Sequence, residues 1–232
     1  MKKSHSIGAT LSGSETIAGF CYLAFQLLLL PDLLTFVNEN LKQPLSMAEL
    51  NFLFYFINFI AVLMIFRRFL TNSLEHIWHH PVPFLEGAIL GFVFYYLCSF
   101  LITWGMDAFF PDFANYNDAT IADMSRSNHF LMFLGTVVLV PPVEECLFRG
   151  LIFRNLYPKS RWAAYLVSAL AFALIHILGF VGQYTTTELV AAILQYLPAG
   201  LCLAWAYTRS DTIFAPILIH AAVNYIGISQ MR

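Results

Sequence analysis

Apolar residues run along the chain in long stretches, and polar residues gather between them. A helix needs about 20 mostly apolar residues to cross a bilayer. Seven stretches come close to or exceed that length, namely residues 16–37, 49–66, 84–104, 129–156, 161–180, 187–208 and 212–229. The pattern predicts an all-α fold, a polytopic transmembrane helix bundle of about seven spans, with six to eight as the range. We expect residues 1–232 to form a single integral membrane domain.

Two proline positions are expected to interrupt these helices. Pro31 lies within the first stretch and should break it. The pair Pro141-Pro142 lies in the middle of the fourth stretch, and it predicts a broken helix there, because proline lacks an N–H but suits the first turn of a new helix. As one straight helix this stretch would measure about 42 Å, which exceeds a hydrocarbon core of about 30 Å. Interrupted backbone at that depth has to be buried in protein or face water, so the prolines also indicate a cavity.

Composition supports the membrane assignment and excludes other classes. The chain is 59% hydrophobic and only 11% charged, whereas soluble domains carry about 25% charged residues. A net charge of −2 leaves no basic surface for nucleic acid. The four cysteines lie in apolar runs without CxxC spacing, which argues against a disulfide framework or a thiolate metal site. The expected partner from composition is membrane lipid.

The placement of Lys and Arg predicts the orientation, because cytoplasmic loops carry an excess of both. With the N-terminus inside, three of the twelve lie in outer segments, namely Lys42, Arg126 and Arg232. Arg149 lies within a span. The other eight lie in cytoplasmic segments: Lys2, Lys3, Arg67, Arg68, Arg154, Lys159, Arg161 and Arg209. We therefore expect a multi-pass protein of the cell membrane with a cytoplasmic N-terminus. One miscounted span would reverse the C-terminal end.

Ionisable residues inside a span are costly and indicate function. Those that lie well inside are Glu144, Glu145, Arg149, His176 and His220, with Asn224 as a polar companion. Glu144, His176, His220 and Asn224 lie about 14–22 Å from the cytoplasmic ends of their spans at 1.5 Å per residue. Residues of three different spans thus reach a similar depth, and we expect them to converge on one polar cavity.

The local spacings are consistent with a site. Glu145 and Arg149 are four residues apart, so they share a helix face and can pair, which lowers the cost of burying each charge. Glu144 lies about 100° around the helix from Glu145 and can point elsewhere. His220 and Asn224 are again four apart and share one face.

These groups suit hydrolysis by an activated water. Glu144 would act as the general base with His176 helping to hold the water, and His220 and Asn224 could donate hydrogen bonds to a developing oxyanion. The set Glu144, His176 and His220 could alternatively bind a divalent metal such as zinc. Cys146 has no evident activator, so a nucleophilic cysteine is not supported. A proton relay of a transporter and a structural polar cluster remain open from the residues alone.

Three motifs give a family resemblance. They are EExxxR at Glu144–Arg149, FxxxH at Phe172–His176 and HxxxN at His220–Asn224. In this order, on separate apolar spans, they resemble the CPBP family of intramembrane endopeptidases, which comprises CAAX prenyl proteases and bacteriocin-processing, Abi-like proteins. The spans that carry the motifs define an expected catalytic core at residues 129–229.

The resemblance implies a peptidase and a set of roles. Glu144 would be the catalytic base and His176 its partner, while His220 and Asn224 would serve the oxyanion or a ligand, and Glu145 and Arg149 would support them. The family has been described both as metal-dependent and as using a glutamate-activated water without metal, and both options stay open. The implied partner is a peptide or lipidated protein substrate, membrane-embedded or lipid-attached, either a CaaX-type tail or a bacteriocin or signal-peptide precursor. The competing class is a non-catalytic membrane adaptor or immunity protein, beside the proton-relay transporter.

Overall fold

Helices account for almost all of the fold. The computed structural model describes residues 8–231, so the charges of Lys2, Lys3 and Arg232 used for the orientation lie outside the described residues. Within residues 8–231 there is no β-strand. The helices of this range are α1 (Gly13–Leu28), α2 (Leu30–Glu39), α3 (Met47–Ile65), α4 (Arg67–His79), α5 (Pro81–Phe109), α6 (Tyr116–Ser127), α7 (His129–Leu156), α8 (Arg161–Phe180), α9 (Thr186–Ser210) and α10 (Phe214–Gln230).

The expected all-α membrane bundle is confirmed, with a smaller number of spans. In residues 8–231, five helices are long and apolar enough to cross a membrane, namely α3, α5, α7, α8 and α9. Helices α1 and α2, which meet at a bend of 46°, make a sixth if they form one span. The count is therefore five or six where the sequence predicted about seven. The difference lies in α10, whose 17 residues measure only about 26 Å.

Several helices begin at side chains that cap their free N–H groups. A Ser or Thr hydroxyl accepts from the backbone N–H three residues on, and the Glu at that position returns to the backbone N–H of the cap. This reciprocal arrangement starts three helices: Ser12 with Glu15 in α1, Ser46 with Glu49 in α3, and Thr185 with Glu188 in α9. These pairs set the point at which each chain segment turns into an apolar helix.

The two proline sites behave differently. Near Pro31 the chain bends as expected, at Leu29 between α1 and α2. At Pro141-Pro142 the expected broken helix is instead a change of helix type within a continuous α7. A π-helical stretch, Leu134–Leu139, precedes the prolines, and α-helix resumes at Val140, whose N–H bonds to the Gly135 carbonyl five residues back. The prolines thus occupy the first turn of an α-helical segment, where a missing N–H does little harm.

Helix α7 lies at the centre of the bundle. Half of the apolar 18-residue segment of α7 is buried inside the protein, compared with 17% of the corresponding segment of α3 and of α5. A second π-helical stretch, Cys146–Phe153, contains seven buried residues, five of which belong to the main hydrophobic core. The helix that carries the EExxxR motif is therefore surrounded by protein, and α8, α9 and α10 pack around it.

Helices α5 and α9 approach each other through small residues. A side-chain carbon at Gly87 would lie 2.7 Å from Cβ of Ser210, and one at Gly91 would lie 2.8 Å from Cβ of Ala206. Two small residues four apart on each helix let the backbones come close, a common mode of helix packing in membranes. This contact fixes α9 relative to the outer helices.

Replacing Gly91 by Leu should destabilise the protein, because the new side chain has no room between α5 and α9. We expect a loss of about 1–3 kcal/mol in the free energy of unfolding, typical of an overpacked core, measured as a lower Tm in detergent. The matched control is Gly105→Leu in the same helix, where nothing lies within 4 Å of a new side-chain carbon. Equal Tm values for the two variants would contradict the close approach.

Candidate active site

The adjacent carboxylates of α7 point in different directions. Glu145 is fully buried, while Glu144 faces a cavity of about 490 Å³. Their separation follows from the turn of about 100° per residue in a helix. His176, His220 and Asn224 line the same cavity, so the structure brings together the four side chains expected to meet there. Glu145 and Arg149 lie behind the cavity wall instead.

Glu145 is the point at which three helices are joined. Its Oε1 accepts a hydrogen bond from Nη1 of Arg149 at 3.0 Å and from Nδ1 of His220 at 2.9 Å. Nη2 of Arg149 donates to the carbonyls of Ala199 at 3.0 Å and Gly200 at 3.2 Å. The buried ion pair on α7 is therefore compensated by an imidazole from α10 and by two carbonyls of α9, as a buried charge requires.

The partners of the two histidines fix their tautomers. Nδ1 of His176 lies 2.8 Å from the Phe172 carbonyl, and Nδ1 of His220 faces the Glu145 carboxylate. Carbonyl and carboxylate oxygens only accept, so we assign the N–H to Nδ1 in both rings. Each neutral ring then presents a lone pair on Nε2.

Both Nε2 atoms converge on Glu144. Each lies 3.9 Å from Oε2 of Glu144, which is too long for a direct hydrogen bond. Among residues 8–231, Oε2 of Glu144 has no hydrogen-bond partner although it is buried. A water molecule between the three groups would satisfy this oxygen at ordinary hydrogen-bond lengths.

Asn224 joins the cavity to the π-helical stretch. In that stretch N–H groups bond five residues back, so the carbonyl of Thr136 would need the N–H of Pro141, which proline lacks. Nδ2 of Asn224 donates to this carbonyl at 2.8 Å. The amide group carries a second N–H. One side chain therefore caps the exposed backbone and keeps a donor for the cavity.

Two aromatic residues position His176, and the motif analysis gave neither of them a role. The Phe172 ring packs 4.5 Å below the Arg149 guanidinium and 4.6 Å from the His176 ring. The Tyr196 ring of α9 stacks on the His176 ring at 4.4 Å. Phe172 was visible as the first residue of FxxxH, whereas Tyr196 lies in no motif. His176 is thus in contact with two rings while its Nδ1–H is held by a carbonyl.

Helix α6 covers one end of the cavity with polar groups. The Tyr196 hydroxyl lies 3.4 Å from Oδ1 of Asp118 and accepts from the amides of Asn115 at 3.0 Å and Asn117 at 3.1 Å. Burial raises the pKa of the Asp118 carboxyl, and nearby His176 and the Tyr196 hydroxyl act in the opposite direction. This cluster could not be predicted from the sequence, since α6 has the pattern of a polar loop segment between spans.

The donor set has the chemistry of a zinc site but not its spacing. Two Nε2 lone pairs and a carboxylate oxygen are ligands that zinc accepts, and each histidine donates its other N–H to an oxygen, as metal-binding histidines do. Ligands on tetrahedral zinc, with bonds of about 2.0–2.1 Å, lie about 3.3 Å apart. Here Oε2 of Glu144 lies 3.9 Å from Nε2 of each histidine. In the described part of the chain no group of three or more His, Cys, Asp or Glu is placed to hold a metal. As it stands, the arrangement does not fit a zinc ion.

Comparison with protein families identifies the segment that carries the site. Residues 126–226 match the family described as "Type II CAAX prenyl endopeptidase Rce1-like". The segment contains all three motifs that the sequence analysis singled out. The resemblance to CAAX-type membrane endopeptidases is therefore confirmed for this part of the chain.

Three relatives cover different shares of the chain. An uncharacterized 24.3 kDa protein of Escherichia coli is 26% identical over 174 residues, which is 73% of this chain and 74% of that protein. UPF0177 protein YbdI of Lactococcus lactis is 29% identical over 45% of this chain and 56% of its own length. A Bacillus subtilis protein named "Putative membrane peptidase YdiL" is 29% identical over 44% of this chain and 38% of its own length. No solved structure matches the chain significantly.

Removing Arg149 should destabilise the protein strongly. Arg149→Ala leaves the Glu145 carboxylate buried without its cation, which typically costs about 3–5 kcal/mol, so we expect a lower Tm and a lower folded yield in detergent. Arg126→Ala is the control, since its ion pair with Asp123 is exposed and exposed pairs contribute little. A Tm equal to that of the unmodified protein for Arg149→Ala would show that the pair does not hold the bundle.

Proposed function

From the Rce1-like segment at residues 126–226, we propose that this protein is an intramembrane endopeptidase that hydrolyses a peptide bond with a water activated by Glu144 and His176. One observation carries the proposal. On the wall of a cavity, Oε2 of Glu144 lies 3.9 Å from Nε2 of His176 and 3.9 Å from Nε2 of His220. A buried carboxylate oxygen without a partner, beside two imidazole lone pairs, is what a general-base site for water requires.

The proposed reaction begins with the water. Glu144 takes one proton as the water oxygen adds to the carbonyl carbon of the scissile bond, with His176 accepting the second O–H and holding the water in place. The substrate carbonyl becomes an oxyanion. When the C–N bond breaks, the proton held by Glu144 passes to the leaving nitrogen. The products are a carboxylic acid and an amine, and Glu144 returns to its starting state.

The oxyanion needs donors in the cavity. The second N–H of Asn224 is one, since only the first is used by Thr136. His220 has its N–H on Nδ1, which is given to Glu145, so its Nε2 offers a lone pair and no donor. In this proposal Asn224 is the oxyanion donor, and His220 lines the cavity beside Glu144 as an acceptor.

The substrate would be a peptide within or attached to the membrane. The cavity lies between spans, so an apolar or lipid-attached segment reaches it from the bilayer. A prenylated CaaX tail and a bacteriocin or signal-peptide precursor are the two classes to compare. No step above passes through a metal, and repeating the assay below after dialysis against a chelator measures whether the reaction needs one.

Glu144→Gln should abolish most of the cleavage while the protein stays folded. The amide keeps the shape but cannot accept the proton, and general-base catalysis contributes about 10²–10⁴-fold. The measurement is cleavage of membrane peptides of both classes in liposomes at matched Tm. Glu188→Gln serves as the control, because Glu188 caps α9 at an exposed position and Gln preserves the capping box. Undiminished cleavage by Glu144→Gln would remove Glu144 from the chemistry, and the absence of cleavage by the unmodified protein would favour an adaptor or a relay.

Asn224→Ala should lower kcat by about 10²–10³-fold, the usual effect of losing one oxyanion donor. The change also leaves the Thr136 carbonyl without its cap, so a control must lose a similar backbone contact. Asn155→Ala does so, since Nδ2 of Asn155 donates to the Leu151 carbonyl at 2.7 Å and Asn155 does not line the cavity. If both variants lose activity equally, the effect of Asn224 is structural.

A further inference from the structure

Polar side chains that belong to none of the motifs also line the cavity. Asn51, Tyr55 and Asn58 of α3 and Gln26 of α1 line the same cavity as Glu144. All four lie outside the segment 126–226 that matches the endopeptidase family. Their presence within helices that are otherwise apolar needs an explanation, because polar groups at this depth are costly.

The three residues of α3 share one face. They are spaced at i, i+4 and i+7, so they lie in a row about 10.5 Å long at 1.5 Å per residue. An extended peptide advances about 3.3 Å per residue, so this row spans about three residues of substrate. The Tyr55 ring is seated directly on α7, since a side-chain carbon at Gly135 would lie 2.7 Å from it.

The amides of this part of the cavity wall differ in how far their hydrogen-bonding capacity is used. Asn58 is held in place, since it accepts from the Tyr22 hydroxyl at 2.8 Å and donates to the Phe54 carbonyl at 2.8 Å. Asn51 donates to the sulfur of Met132 at 3.8 Å, which is a weak acceptor, and its amide also interacts with the Tyr55 hydroxyl. Within residues 8–231, no hydrogen bond joins the buried Gln26 amide to another residue.

We infer that Gln26 and Asn51 form a binding subsite for the backbone of an extended peptide in the same cavity as Glu144. A side-chain amide has an N–H donor and a C=O acceptor side by side, and a peptide bond offers the complementary pair. An extended peptide in an apolar environment has unpaired N–H and C=O groups, which have to be satisfied by the protein. The two amides supply these partners while Glu144 and His176 perform the hydrolysis. The inference rests on the proposed function, because it assigns the substrate of that same site.

The first test separates binding from catalysis. The probe is an apolar peptide of roughly 20 residues in liposomes, with a fluorophore and a quencher on either side of its centre. Asn51→Leu and Gln26→Leu should each raise KM by about 3- to 10-fold, the effect of one lost hydrogen bond, with kcat little changed. Asn40→Leu is the control, since its amide is exposed at the end of α2 and bonds to the Phe36 carbonyl. An unchanged KM in both wall variants overturns the subsite, even if Glu144→Gln abolishes cleavage.

The second test does not depend on cleavage. The same peptide, N-methylated at one backbone amide at a time, is titrated into Glu144→Gln and followed by fluorescence. At one or two positions methylation should weaken binding by about 3- to 10-fold, and this loss should disappear when Asn51→Leu or Gln26→Leu is combined with Glu144→Gln. A loss that is the same with and without the wall amides means that they face only water, which overturns the subsite. Failure of the unmethylated peptide to bind Glu144→Gln saturably overturns it as well.

Discussion

A buried carboxylate and a buried guanidinium, Glu145 and Arg149, have to neutralise each other in the interior of the bundle. Neither is exposed, and an isolated charge at this depth would be far less stable than a paired one. The pair makes further hydrogen bonds to His220 of α10 and to two carbonyls of α9, while Oε2 of Glu145 and Nε of Arg149 have no partner among residues 8–231. The position of α7 relative to both neighbours is therefore set by electrostatics as well as by packing, and the cavity takes its shape from these contacts.

This arrangement gives the adjacent side chains of Glu144 and Glu145 different roles. Oε1 of Glu145 accepts two hydrogen bonds from charged or polar partners, so that carboxylate is held rigidly. Glu144 lies one residue earlier and lines the cavity, and its buried Oε2, like Oε2 of Glu145, has no hydrogen-bond partner in the described structure. The first carboxylate fixes the imidazole of His220, and the second is left to interact with whatever enters the cavity. Preorganisation of this kind spares the reacting groups from reorganising during the reaction.

The sequence was informative where a residue's role follows from its own chemistry and spacing. The pairing of Glu145 with Arg149, the separate direction of Glu144 and the common depth of His176 and His220 all follow from helix geometry applied to charged residues in apolar runs. Tyr196 and the amides of α1 and α3 could not be singled out from the sequence, because they are uncharged and belong to none of the three motifs. The π-helical stretches were also missed. Pro141-Pro142 indicated an interruption, but the type of helix around it depends on the packing of the whole bundle.

Those π-helical stretches have a consequence for the length of α7. A π-helical turn is equivalent to one residue inserted into an α-helix, and such insertions are frequent at functional sites. One lies before Glu144 and Glu145 and the other begins directly after them. Deleting a residue from the first stretch would rotate Thr136 by about 100° relative to the carboxylates and take its carbonyl away from Asn224. Although α7 is a continuous helix, the number of residues in it is tightly constrained. A single-residue deletion would change the angle around the helix axis between the groups on either side of it.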